Sequence, residues 1–216
     1  MGIDLAGART QGLAIAITGS GGSGAVTTGL ILLSAVGRTG YYGLLTRSAG
    51  PQIRGGESAA MVRFGPEPVR CMGDRFDLMV GLDWRNVSRF VDEIPLDARS
   101  LILADPAAGR VPPEMLASGA EVREVPFKEL ATSVENGHLN MAALGALSGA
   151  IGLPLAALEQ AAIDNLKKKG PKVAEAAIAC IRAGYEAVPA RDSPAAPANA
   201  VRWSISGNEA SGLGAV

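Results

Sequence analysis

Six residues constrain this chain more than any other segment. Gly19-Ser20-Gly21-Gly22-Ser23-Gly24 separate the apolar run 13–18 (LAIAIT) from an apolar, helix-compatible segment at 25–36. A short apolar run suits a strand buried on both faces, and glycines permit a tight turn from strand into helix. Strand, glycine-rich turn and helix form the opening unit of a doubly wound α/β sheet. The expected fold is therefore α/β: a doubly wound, mostly parallel sheet with helices on both faces, C-terminal helices, then a linker.

The remaining segments fit that architecture. Residues 41–46 read as the second strand, 48–56 (SAGPQIRGG) as a Pro/Gly loop and 57–64 as the third strand. The turn residues Gly65-Pro66-Glu67-Pro68 predict a hairpin over 57–71. Residues 77–82 form the next buried strand, with a short helix from Trp84, and 100–104 and 121–126 are further strands. Helices follow at 140–150, at 155–169 with Leu155, Leu158, Ala162 and Leu166 on one stripe, and at 172–187. Gly152-Leu153-Pro154 and Gly170-Pro171 separate them. Residues 189–200 (PARDSPAAPANA) then lose all apolar periodicity and mark a tether. After it comes a strand, a turn and the first turns of a helix. The expected organisation is a domain at 1–187, a linker at 188–201 and the opening of a second domain at 202–216, cut just inside it.

Glycines at 19–24 let the backbone approach a ligand closely, and amides at a helix start favour an anion such as phosphate. Ser20, Ser23, Thr27 and Thr28 add hydroxyl donors. The plainer alternative is that the glycines serve only a tight turn and close packing. An NAD-type site places Asp or Glu about twenty residues further on, at the end of the second strand. Here no acidic residue occurs between Asp4 and Glu57, and that strand ends Thr46-Arg47-Ser48. A Walker loop also fails, for no Gly-Lys-Ser/Thr follows. The acid-free stretch holds Arg9, Arg38, Arg47 and Arg54, so a phosphate-rich ligand suits it better than NAD. Arg54-Gly55-Gly56 offers a guanidinium fork with little steric obstruction, against the alternative of a solvated loop arginine. The candidate binding residues are Gly19, Ser20, Gly21, Gly22, Ser23, Gly24, Arg54, Gly55 and Gly56.

Other positions carry less. His138 is expected as a surface or capping residue, with Glu135, Asn136 and Asn140 as helix caps. Asp83, at a strand end, faces either the ligand crevice or a turn. Lys167-Lys168-Lys169 reads as a solvated helix end. Nothing resembles a nucleophile with its base, so no catalytic residue is expected. A net charge of −1 gives no reason for nucleic acid or an anionic membrane surface. Two distant cysteines, Cys71 and Cys180, and a single histidine exclude a disulfide framework, an iron–sulfur cluster and a Cys/His metal site. The first eleven residues are no signal peptide, and the apolar runs are too short to span a bilayer. The reading is soluble and cytoplasmic.

The order of motifs resembles the gamma-domain of 2-oxoacid:ferredoxin oxidoreductases. The resemblance runs from GSGGSG through SAGPQIRGGESAAMVRFGPEPV and FDLMVGLDW to NMAALGAL, IGLPLAALEQAAIDNLKKKG and AGYEA, over residues 11–187. SGNEASGLGAV is similar to the opening of the alpha-domain, and a fused gamma–alpha chain points to the 2-oxoglutarate type. The family decarboxylates a 2-oxoacid on thiamine diphosphate, passes electrons through iron–sulfur clusters to ferredoxin and releases CO2 and an acyl-CoA. The resemblance implies that this domain helps to hold coenzyme A, with the Gly19–Gly24 loop and Arg54 contacting its phosphates. Thiamine diphosphate, Mg and the clusters belong to other domains or to alpha- and beta-type partner subunits, so the chain alone is expected to be inactive. Two other readings stand beside this one: a non-catalytic assembly subunit of the same complex, and an NAD-dependent Rossmann enzyme.

Overall fold

The computed structural model describes residues 12–51, 55–189, 202 and 205–214. Six strands make one sheet: β1 (Leu13–Ser20), β2 (Tyr42–Ala49), β3 (Glu57–Gly65), β4 (Leu78–Gly81), β5 (Leu101–Ala104) and β6 (Glu121–Glu124), in the order β2-β3-β1-β4-β5-β6. β1, β4, β5 and β6 are mutually parallel, whereas β3 runs antiparallel to both β1 and β2. The sheet is thus mixed, with helices on both faces.

The helices are α1 (Ala25–Arg38), α2 (Pro113–Leu116), α3 (Phe127–Thr132), α4 (Leu139–Ile151), α5 (Leu155–Leu166), α6 (Pro171–Glu186) and α7 (Gly207–Gly214). Because strand side chains alternate, each central strand feeds two cores. Leu13, Ile15 and Ile17 face the larger one with Val62, Val80 and Leu103, under α1 and α3–α6. Ala14, Ala16 and Ala59 face the other, and their small side chains leave room for Phe76, Trp84 and Phe90. α4 is buried along almost its whole length, which explains why its residues are nearly all apolar rather than striped.

The hairpin expected over 57–71 is not formed. β3 pairs instead with β2, from Tyr42 opposite Gly65 to Ala49 opposite Ser58, and residues 66–73 carry no strand. Pro66 and Pro68 lack the amide that a returning strand would have to donate. The helix expected from Trp84 is a single 3-10 turn, Val87–Phe90. The short helices α2 and α3 have too few turns to show periodicity and were not foreseen. Of the expected linker, residues 190–201 lie outside the described residues, as do Trp203 and Ser204 of the strand expected after it. Arg202 lies against the start of β2: its amide donates to Gly37 O at 2.9 Å and its guanidinium stacks 3.7 Å over the Tyr42 ring. α7 is exposed throughout.

This topology fixes where a ligand would sit. α1, which follows β1, covers the larger core, whereas Val87 and Phe90, which follow β4, enter the smaller one. The chain therefore leaves the neighbouring strands β1 and β4 towards opposite faces. Their carboxyl ends part around a crevice, the usual ligand position in open α/β sheets.

Candidate functional site

The glycine loop lies at that crevice. After Ser20, the last residue of β1, Gly22 and Gly24 adopt φ of +95° and +91°, conformations that side chains disfavour. Gly21 is needed for another reason: a Cβ there would lie 3.2 Å from both the Gly55 amide and the Gly56 carbonyl. Gly19 admits Ser23, whose hydroxyl is buried over it without a hydrogen-bond partner. The 55–56 and 19–24 segments are therefore in direct contact, and Gly21 N donates to Gly56 O. Arg54, the third member of that expected pairing, lies outside the described residues.

Several loop donors are committed within the protein. Ser20 N and Ser20 Oγ both donate to Asp83 Oδ2, at 2.8 and 2.7 Å. The Arg85 guanidinium donates to Ser20 Oγ at 3.2 Å, and the Arg85 amide donates to Asp83 Oδ1. Ser23 N donates to Ser20 O at 2.9 Å. Among the described residues, the amides of Gly22 and Gly24 have no partner. The first-turn amides of α1 have no acceptor within the helix, by helical geometry. A second carboxylate, Glu57 at the start of β3, is buried beside Gly50 and accepts from Arg89 Nη1 at 2.8 Å. That hydrogen bond, more than any other influence, holds the Glu57 carboxyl below its ordinary range.

Of the four arginines expected to make the field around the loop cationic, Arg9 and Arg54 lie outside the described residues. Arg38 stands at the far end of α1 and pairs with Asp164. Arg47 is exposed on β2, three residues short of the level of Ser20. Asp83, expected either at the ligand crevice or in a turn, is brought onto the loop from 63 residues away.

The other side of the loop opens into a cleft of about 520 Å³, walled by Gly22–Gly24 and Thr27, by the start of α4 and by the α5–α6 junction. His138, expected as a surface or capping residue, is the exposed N-cap residue of α4, and its side chain makes no capping bond. Asn140 is not a cap either, since its amide donates to Thr28 Oγ1 at 3.3 Å and ties α4 to α1. Lys169 is exposed, as expected of a solvated helix end, and also lines this cleft together with the glycines. Cys180 lies under the same wall; burial pushes its thiol up, and the His138 amide opposes that only in part. Among the described residues no helix is long and apolar enough to cross a membrane, and no group of three or more His, Cys, Asp or Glu converges as a metal site would need.

Residues 14–187 match the family model of the pyruvate ferredoxin/flavodoxin oxidoreductases. The chain is 25% identical over 173 residues to the 2-oxoglutarate synthase subunit KorC of Archaeoglobus fulgidus, covering 80% of this chain and 86% of that one. It superposes with a TM-score of 0.72 and 25% identity on the 2-oxoglutarate:ferredoxin oxidoreductase of Magnetococcus marinus, solved with 2-oxoglutarate, coenzyme A and succinyl-CoA bound. That match covers 86% of this chain but only 34% of the Magnetococcus chain. The pyruvate oxidoreductase subunit PORC of Thermotoga maritima shares the fold, with a TM-score of 0.64 and 24% identity over 82% of this chain and 97% of that one.

Proposed function

Because the chain belongs to the pyruvate ferredoxin/flavodoxin oxidoreductase family, we propose that it is the gamma-type component of a 2-oxoacid:ferredoxin oxidoreductase and helps to hold coenzyme A. The observation that carries this reading is the pair of unpartnered amides, Gly22 and Gly24, on a glycine loop at the crevice between β1 and β4. Amides so placed donate to phosphate oxygens; the space beside Gly22 is open, whereas the Asn140 side chain fills it beside Gly24. The proposed binding residues are the Gly19–Gly24 loop with Arg54, Gly55 and Gly56. Coenzyme A bound to the Magnetococcus relative supports the choice of ligand. Kinship with a 2-oxoglutarate synthase subunit supports 2-oxoglutarate as the oxoacid.

In this proposal the chain performs no bond-making step. Thiamine diphosphate with Mg would supply decarboxylation and iron–sulfur clusters electron transfer to ferredoxin, all held by alpha- and beta-type partners in the cytoplasm rather than by residues of this chain. The glycine loop fixes the phosphate end of coenzyme A so that its thiol reaches an acyl-level intermediate on a neighbouring unit. The gain comes from proximity and orientation. The test is a calorimetric titration of coenzyme A onto the assembled complex, wild type against Arg54→Ala. Binding weakened by the substitution supports the reading, and unchanged affinity refutes the place given to Arg54. One observation favours the rival assembly role: Ser20, Gly21 and Ser23 already spend their amides inside the protein. If the complex binds no coenzyme A through this domain, the assembly reading replaces ours.

A further inference from the structure

The glycine loop has two sides, and they differ in charge. On the strand side stand Asp83, bonded to Ser20, and Glu57 at the start of β3. Glu57 is already paired with the Arg89 guanidinium, and Asp83 already accepts from the Ser20 and Arg85 amides and the Ser20 hydroxyl. A phosphate placed there would displace those pairings or meet the carboxylates. On the helix side no Asp or Glu lines the cleft, and its one fully charged residue is Lys169. Among the described residues Lys169 has no carboxylate partner, so its ammonium is uncommitted.

Donor accounting points the same way. Ser20, Gly21 and Ser23 are spent on Asp83, Gly56 and Ser20 O, and the two unpartnered loop amides belong to Gly22 and Gly24, which wall this cleft. Gly170, at φ +97°, turns the chain between α5 and α6, and Lys169 beside that turn lines the same cleft. The pairing joins residues more than 140 positions apart, which is why the Lys167–Lys169 run reads as a bare helix end in sequence.

We propose that Lys169 is a phosphate-positioning residue: a phosphate of the bound ligand seats in the helix-side cleft, between the Gly22 and Gly24 amides and the Lys169 ammonium. This rests on the coenzyme A reading and adds to it the side of the loop that is used and a cation supplied from the α5–α6 junction. An ammonium acts here as a compact point charge, so arginine should substitute for it only in part. Thr27 and His138, on the remaining walls, supply polar groups but no fixed charge.

The experiment is calorimetric titration of coenzyme A and of dephospho-coenzyme A onto the assembled complex, as wild type, Lys169→Ala, Lys169→Arg and Lys168→Ala. Lys169→Ala is expected to weaken coenzyme A about fivefold to tenfold, the effect of one partly solvated charge-assisted contact. It should also make log Kd less steep in log salt, a change that a merely structural role would not produce. Lys169→Arg should recover part of the loss, and Lys168→Ala should match wild type. Because Lys169 is exposed, its substitution should leave the melting temperature unchanged. A Lys169→Ala effect that persists with dephospho-coenzyme A assigns the contact to the diphosphate; one that vanishes assigns it to the 3′-phosphate, and both support the cleft. Unchanged affinity in Lys169→Ala, with Arg54→Ala still weakened, overturns the Lys169 assignment and leaves the coenzyme A reading intact. No binding by wild type overturns both.

Discussion

Helices α4 and α6 meet through glycine on both sides, and that contact sets two walls of the cleft. A Cβ on Gly184 would fall on the Ala142 carbonyl oxygen, and would lie 2.8 Å from the Ala142 carbonyl carbon and 3.0 Å from Ala146 N. A Cβ on Gly145 would likewise meet Ile181 O, with Ile181 C at 2.8 Å and Tyr185 N at 2.9 Å. Every obstructing atom is helix backbone, which cannot rotate aside, so Gly184→Ala must push the helices apart by more than half an ångström. Overpacking of this kind costs about 3 kcal/mol or slightly more. Alanine returns about 1 kcal/mol of helix propensity. The net loss is about 2–3 kcal/mol, a melting temperature lower by roughly 5–10 °C for a chain of this size. Gly145→Ala should cost about as much, and the double variant less than the two together, since the first substitution already opens the interface. Gly212→Ala, in exposed α7 with open space around it, is the control and should leave the melting temperature unchanged. Thermal unfolding followed by circular dichroism measures all four. A Gly184→Ala protein as stable as wild type would refute the close α4–α6 contact.

Further outcomes test the site's supports. Asp83→Ala leaves Ser20 N and Oγ without their acceptor and should lower stability by about 1–3 kcal/mol in chemical denaturation, while Asp83→Asn, which keeps one acceptor oxygen, should lose less. Glu57 is held below its ordinary carboxylate range, so its pairing stabilises fully above the unfolded value near pH 4.3 and is lost as pH falls through the depressed folded value. The denaturation midpoint of Glu57→Gln should therefore fall short of wild type at pH 7, and the gap should close in acid; a gap independent of pH would contradict the pairing. Cys71 is exposed and Cys180 buried with its thiol raised, so Ellman's reagent should titrate one thiol in the native protein and two after unfolding. Two fast native thiols would contradict the packing of α6.

What could be read in the sequence was what is local. The 13–18 run, the GSGGSG turn and helix α1 declare themselves through apolar pattern and glycine within one stretch of chain. β4, β5 and the C-terminal helices follow for the same reason. The insertion of β3 between β1 and β2 was not legible, because strand order depends on pairing between distant segments, and alternation is identical in parallel and antiparallel strands. The site divides along the same line. Gly22 and Gly24 were visible as candidates, whereas Asp83 on Ser20, Asn140 on Thr28 and Lys169 across the cleft arise only when the sheet and the α4–α6 pair close. Counting charge along residues 4–57 could not show that Arg38 ends at the opposite pole of α1 or that Asp83 joins the loop from elsewhere.

Backbone amide exchange, measured on the assembled complex with and without coenzyme A, tests the central claim most directly. Coenzyme A should slow exchange at residues 22–27, a segment that supplies four residues of the cleft wall and the two loop amides that carry no partner among the described residues. Exchange at 22–27 left untouched by saturating coenzyme A, with protection confined to other chains, would contradict it.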